Sequence, residues 1–148
     1  MGLSRTGRER RIREVALEAA NLVVAAALAG LIWTIQLVQY PLFALVGSAE
    51  WQAYGEQHRR RITWLAAPLM SANVGLAIAL LTEHASGLRI ANAALACGLF
   101  AVTGLLFAPL HGRLERAATE HAVRVLVRAN WVRTIAWTAQ VVVAVALL

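Results

Sequence analysis

The apolar residues of this chain are gathered into blocks long enough to cross a bilayer, and nothing else in the sequence constrains the fold as much. A helix needs about 20 mostly apolar residues to span the hydrocarbon core. Four stretches qualify, at about residues 15–46, 62–81, 88–110 and 131–148, the last near the minimum length. Composition agrees: of 148 residues, 59% are hydrophobic and 15% charged, against roughly 45–50% and 25% in a soluble domain. The expectation is an all-α integral membrane protein, a single transmembrane domain over 1–148 forming a four-transmembrane-helix bundle. Its expected location is the bacterial cytoplasmic (inner) membrane. The first apolar block runs on through Leu31, Ile32, Ile35 and Leu37, past any cleavage point, so it reads as a retained helix rather than a signal peptide.

The net charge is +6; all 14 cationic residues are arginine and all eight anionic ones glutamate. The absence of lysine excludes Schiff-base chemistry. The single cysteine, Cys97, excludes an intrachain disulfide and a CxxC redox pair. Because the arginines flank apolar spans, membrane lipids with anionic headgroups are the expected partners, and nucleic acid is not. Four spans put both termini on one side, the tail side, and the first and third loops on the other, the loop side. Arg5, Arg8, Arg10, Arg11, Arg13 and Arg89 fall on the tail side and the other eight arginines on the loop side, so the positive-inside rule gives no orientation.

The two ends differ. Pro41, Pro68 and Pro109 all fall near the loop side, as do Trp33, Trp51, Trp64, Trp131 and Trp137, Tyr40 and Tyr54, and His58, His111 and His121. The tail-side half reads as mostly Ala, Leu and Val, with His84 in the short second loop. Trp51, Trp64 and Trp131 fit an interfacial aromatic belt. Prolines in membrane helices free backbone carbonyls that neighbours or water must satisfy, so three at one end predict a splayed, hydrated cavity there.

Amphipathic interfacial segments are expected in loops 1 and 3. In loop 1, Trp51, Tyr54, His58 and Ile62 share one helical face, which makes His58 either a snorkelling interfacial histidine or a ligand or proton-transfer group. In loop 3, Arg116, Glu120 and Arg124 form an i+4 ladder. His121 falls on the opposite, apolar face with Leu114, Ala118 and Val125, and His111 follows Pro109 over the bundle mouth. Converging imidazoles could hold a metal or haem, so His58, His111 and His121 are the metal candidates, although HxxxH, HExxH and CxxC spacings are all absent.

Polar residues inside spans are costly and often functional. Gln36 and Tyr40 lie four apart on the first helix, Ser71 and Asn73 near the middle of the second, Asn92 and Thr103 on the third. On the fourth, Asn130, Arg133 and Trp137 form a stripe, with Thr134, Thr138 and Gln140 nearby. Arg133 sits just inside the span with no acidic residue near it in sequence. Its guanidinium must find a carboxylate, a phosphate, carbonyls or an anionic substrate, or snorkel to headgroups. The small residues of Gly98–Gly104 and of Ala67, Ser71 and Gly75 either let helices pack closely within the bundle or mark the face of a homo-oligomer.

The stretches YPLF (Tyr40–Phe43), YGEQHRRRI (Tyr54–Ile62) and NWVRT (Asn130–Thr134) resemble motifs of small bacterial four-span membrane proteins of unestablished function. The general layout is similar to that of the anthrone-oxygenase-like membrane proteins, a resemblance that implies oxidation of a hydrophobic ring compound. In size and in its Arg/Asn motif the chain also resembles the small membrane protoporphyrinogen oxidase of bacteria, but it lacks that family's lysine and first-helix histidine.

Two functional expectations follow. One is an oxidoreductase or other enzyme acting on a lipophilic small molecule, with His58, His111, Tyr40, Arg133 and Asn130 as its catalytic set. The alternative is a non-catalytic accessory subunit, a lipid-binding protein or a small transporter.

Overall fold

A computed structural model describes residues 5–43, 45–47, 49–110, 112 and 120–148. They fold into four helices with no strand among the described residues. We label them α1 (Arg5–Phe43), α2 (Trp51–Glu83), α3 (Gly87–Leu110) and α4 (Glu120–Val145). Three of them, α1 to α3, are long and apolar enough to cross a membrane, which marks a membrane protein. Helix α4 falls short of that standard although it runs for 26 residues. Part of the reason, beside Arg124, Arg128 and Arg133, lies in what it packs inward: Asn130, Thr134 and Gln140 are fully buried. These side chains lower its hydropathy while facing the bundle instead of its surroundings.

The helices are longer than the apolar blocks. The arginine-rich start is helical from Arg5, the loop-1 segment is the first turns of α2, and loop 3 from Glu120 onward belongs to α4. Packing runs α1–α2–α3–α4 and back to α1, with the diagonal pairs apart. The α2–α3 connection is only three residues, which forces the two helices to be antiparallel neighbours. Ser86 closes it by accepting a hydrogen bond from the Arg89 backbone N–H, as an N-cap serine does.

Two of the three prolines leave an identical trace. Residues Ile35–Gln39 and Thr103–Phe107 are π-helical, and each segment ends two residues before a proline, Pro41 and Pro109. A proline ring clashes with the carbonyl four residues back and offers no N–H to it. Widening the preceding turn relieves both problems, and the Tyr40 and Ala108 N–H groups bond five residues back, to Ile35 and Thr103. Pro68 is carried within α2 without such a segment.

The core is layered. An apolar cluster around Leu28, Ile32, Tyr40, Phe43, Leu99 and Trp137 fills the loop-side half. The tail-side half is not the plain Ala/Leu/Val packing expected. Asn21, Asn73, Asn92 and Gln140, one from each helix, are all fully buried and bonded together. Asn73 and Gln140 exchange reciprocal bonds of 3.2 Å, Gln140 Nε2 also donates to Asn92 Oδ1 at 3.4 Å, and Asn92 Nδ2 donates to Asn21 Oδ1 at 3.2 Å. Nearer the tail, Arg89 is 2% exposed. It donates to Glu14, to Glu18 Oε1 at 2.8 Å and to the Leu80 carbonyl at 3.0 Å, with His84 Nδ1 2.9 Å away. Outside this cluster, Arg10 donates to the Glu83 carbonyl and Arg13 pairs with its carboxylate at the C-terminus of α2, where cations are favoured.

Three expectations are corrected. Trp51 is not in an interfacial belt; it is 8% exposed and packs edge-on against Phe43. Trp64 and Trp131 do face outward. The small residues do not pack helices of this bundle together: a side chain at Gly75, Gly98 or Gly104 would meet nothing within 4 Å, and Ala67 and Ser71 are exposed. His121 is exposed rather than packed on an apolar face, because Val125 on that face is also exposed.

Candidate functional site

The two π segments face one another across the loop-side half of the bundle, and between them lies a cavity of about 120 Å³. Ile35 enters from the first, Thr103 and Phe107 from the second. Tyr40 lines it from α1, His58 and Arg59 from α2, and Arg133 and Trp137 from α4. Apart from Thr63, the rest of the wall is aliphatic, including Leu28, Ile32, Ile62 and Met70. A proline-driven widening at two helices thus opens space that straight helices would close.

Each polar lining residue is held by a separate device. Phe43 is the hub for the α2 side: Trp51, Tyr54 and His58 meet it edge to face at ring distances of 5.6, 5.6 and 5.2 Å. The helical spacing of those three residues puts them in one row, and the Gln39 side chain donates to the Tyr54 hydroxyl to tie that row to the first π segment. On α4, Asn130 Nδ2 donates to Gln36 Oε1 at 2.8 Å, and Gln36 Nε2 donates to the Val127 carbonyl at 3.4 Å. Asn130, thus fixed, accepts from Arg133 Nη1 at 3.3 Å. The guanidinium lies over the Phe107 ring, 4.6 Å from its centre. Asn130 therefore stands behind Arg133 and does not itself line the cavity.

Among the described residues, two polar atoms of the cavity wall have no hydrogen-bond partner although they are buried: Arg133 Nε and Thr103 Oγ1. The threonine is an exception among the described residues. Thr34, Thr63, Thr134 and Thr138 each donate to the carbonyl four residues earlier, the ordinary fate of a helical hydroxyl. Thr103 opens the second π segment and does not. Among the described residues no carboxylate lies within ion-pair distance of Arg133 and none lines the cavity. Arg133 and Thr103 thus bring two buried, unpartnered polar atoms to the wall of a largely apolar space.

Of the sequence-predicted site residues, Tyr40, His58 and Arg133 come together at this cavity, with Asn130 one bond removed. His111 lies outside the described residues, as do Arg116 and Glu115. His121 points outward and does not line the cavity. Among the described residues no three of His, Cys, Asp and Glu gather as a metal site would need. Sequence reasoning missed Phe43, Phe107 and the charge cluster of Glu14, Glu18 and Arg89. The last was signalled: Glu14, Glu18, Asn21, Ala25, Leu28 and Ile32 follow helical spacing as a single stripe.

No family model, curated protein or solved structure matches the chain. The fold and cavity therefore define its class, a small all-helical protein of four helices with three long apolar ones, and the resemblances of its short motifs gain no family from these comparisons.

Proposed function

We propose that all four helices cross the membrane, in a bacterial cytoplasmic membrane, and that the loop-side cavity binds a lipophilic small molecule carrying an anionic or strongly polar oxygen. The observation that carries this reading is the pair of unpartnered buried atoms, Arg133 Nε and Thr103 Oγ1, set in largely apolar walls. An unmet buried donor costs about 1–3 kcal/mol, and an oxyanion between the two would recover it. Helix α4 crosses with its polar face turned inward, so its low hydropathy does not count against a span.

In the enzyme form of this reading, Arg133 and Thr103 hold and polarise the substrate oxygen, as donors aimed at developing charge do. Tyr40 and His58 serve proton transfer at the same cavity. Asn130 is then a positioning residue, acting through Arg133. The non-catalytic form, a lipid-binding protein, is favoured by one specific observation: the described lining offers no carboxylate to orient His58 as a base.

Thermal unfolding with decanoate and with decanol tests the reading. Decanoate should raise the melting temperature of the wild type in a saturable way, and decanol should not. Thr103→Val and Arg133→Gln should each remove that rise. Equal stabilisation by both compounds, or a response unchanged in both variants, contradicts the assignment.

A further inference from the structure

On its α1–α2 side the cavity shares its wall with an outer groove. A groove of about 720 Å³ runs along the outer seam of these two helices, and it shares Leu31, Ile35, His58 and Ile62 with the cavity wall. Gln39, Glu50 and Gln57 line one end of the groove, and Leu31, Ile35, Ile62 and Leu65 line the other together with Thr34 and Arg61. His58 and Ile62 stand at the threshold between the two spaces. A second groove, of about 620 Å³, lies on the other flank of α2 and meets the cavity only at Arg59 and Thr63, two polar residues.

Size and charge select among ligands. A void of about 150 Å³ holds a benzene ring. The cavity, at about 120 Å³, takes an oxyanion head and a few methylenes, and the rest of any chain must lie outside it. The phosphoglycerol of a diacyl lipid, with the start of two chains, exceeds that space. An alkyl chain leaving past His58 and Ile62 would meet Leu31 and Leu65, whereas one leaving past Arg59 and Thr63 would cross two polar residues before it reached Trp64, Ala67 and Pro68.

Building on the binding reading above, we infer that the ligand is a single-chain lipid carboxylate which reaches the cavity laterally from the bilayer through the α1–α2 seam. Its carboxylate lies between Arg133 Nε and Thr103 Oγ1, and its chain passes His58 and lies along the seam toward Leu65.

The test uses the full chain in phosphatidylcholine nanodiscs and a hexadecanoic acid bearing a diazirine at mid-chain. On illumination the acid should label the protein saturably, at peptides carrying Leu31 or Leu65, and at least about tenfold more than its methyl ester, the loss expected for removing one charge-assisted contact. Leu65→Trp, which fills the apolar end of the groove without touching the cavity, should cut that labelling while leaving the thermal stabilisation by hexanoate unchanged. Thr103→Val, which keeps the side-chain volume, should cut both; it serves beside Arg133→Gln should the latter fold poorly. Labelling at the Glu56–Pro68 flank instead, or a Leu65→Trp variant with unaltered labelling, overturns the lateral path while hexanoate binding still upholds the cavity. Efficient competition by phosphatidic acid overturns the single-chain class. Equal labelling by acid and ester, with no hexanoate effect, brings down both the inference and the binding reading beneath it.

Discussion

Arg89→Met should be among the most destabilising single substitutions in this chain. The guanidinium is 2% exposed and bonds two carboxylates and the Leu80 carbonyl. Removing it leaves Glu18, whose side chain is 10% exposed, without its cation. Breaking a buried pair from one side costs about 3–5 kcal/mol. Glu14 is 23% and His84 53% exposed, so water reaches part of the cluster and the lower end, about 3 kcal/mol, applies. At about 2–4 °C per kcal/mol for a chain of this size, the melting temperature should fall by about 6–12 °C. Arg89→Lys keeps the charge but cannot bridge both carboxylates and the carbonyl, so it should fall between Arg89→Met and the wild type. The double variant Arg89→Met with Glu18→Gln should lose less than the sum of its singles, because the second change removes the stranded charge. The assay is thermal unfolding in a mild detergent, followed by tryptophan fluorescence. An Arg89→Met melting temperature within about 2 °C of the wild type, or strict additivity in the cycle, refutes the reasoning.

Three further outcomes follow from the structure. Gln140→Leu removes three amide bonds; interhelical bonds in membrane proteins average about 0.6 kcal/mol each, so about 2 kcal/mol should be lost, and Asn73→Leu in the same chain should return part of it. Phe43→Ala removes the ring against which Trp51, Tyr54 and His58 pack, and should cost about 3–5 kcal/mol in thermal unfolding and loosen the start of α2 to hydrogen exchange. Asn130→Ala frees Arg133 Nη1 and breaks the tie to Gln36; decanoate stabilisation should weaken by about tenfold in apparent affinity, an effect smaller than that of Arg133→Gln.

Periodicity within one helix was legible in the sequence; partnership between helices was not. Trp51, Tyr54, His58 and Ile62 share a face because they lie at helical spacing, and Asn130, Arg133 and Trp137 do so for the same reason. The prolines pointed to an opened mouth, but the π segments ahead of Pro41 and Pro109 add a register change that no spacing rule anticipates. The Asn21–Asn92 bond and the Arg89–Glu18 pair each join residues 71 positions apart. Their stripe on α1 could be seen, and their partners on α3 could not, because pairing across a bundle depends on helix order and rotation. The same limit hid the outward facing of Gly75, Gly98 and Gly104: small residues at close spacing favour approach without fixing which face the bundle turns inward.

The central claim is that Arg133 and Thr103 bind an oxyanion beside Trp137, which is 2% exposed and lines the cavity. Bromine quenches indole fluorescence only at short range, so 2-bromodecanoate reports contact directly. The saturable quenching of the wild type, minus that of Trp137→Phe, isolates this one residue from the exposed tryptophans. The account predicts a clear difference that disappears in Thr103→Val and in Arg133→Gln. No difference between the wild type and Trp137→Phe, or a difference that survives both anchor substitutions, would contradict it.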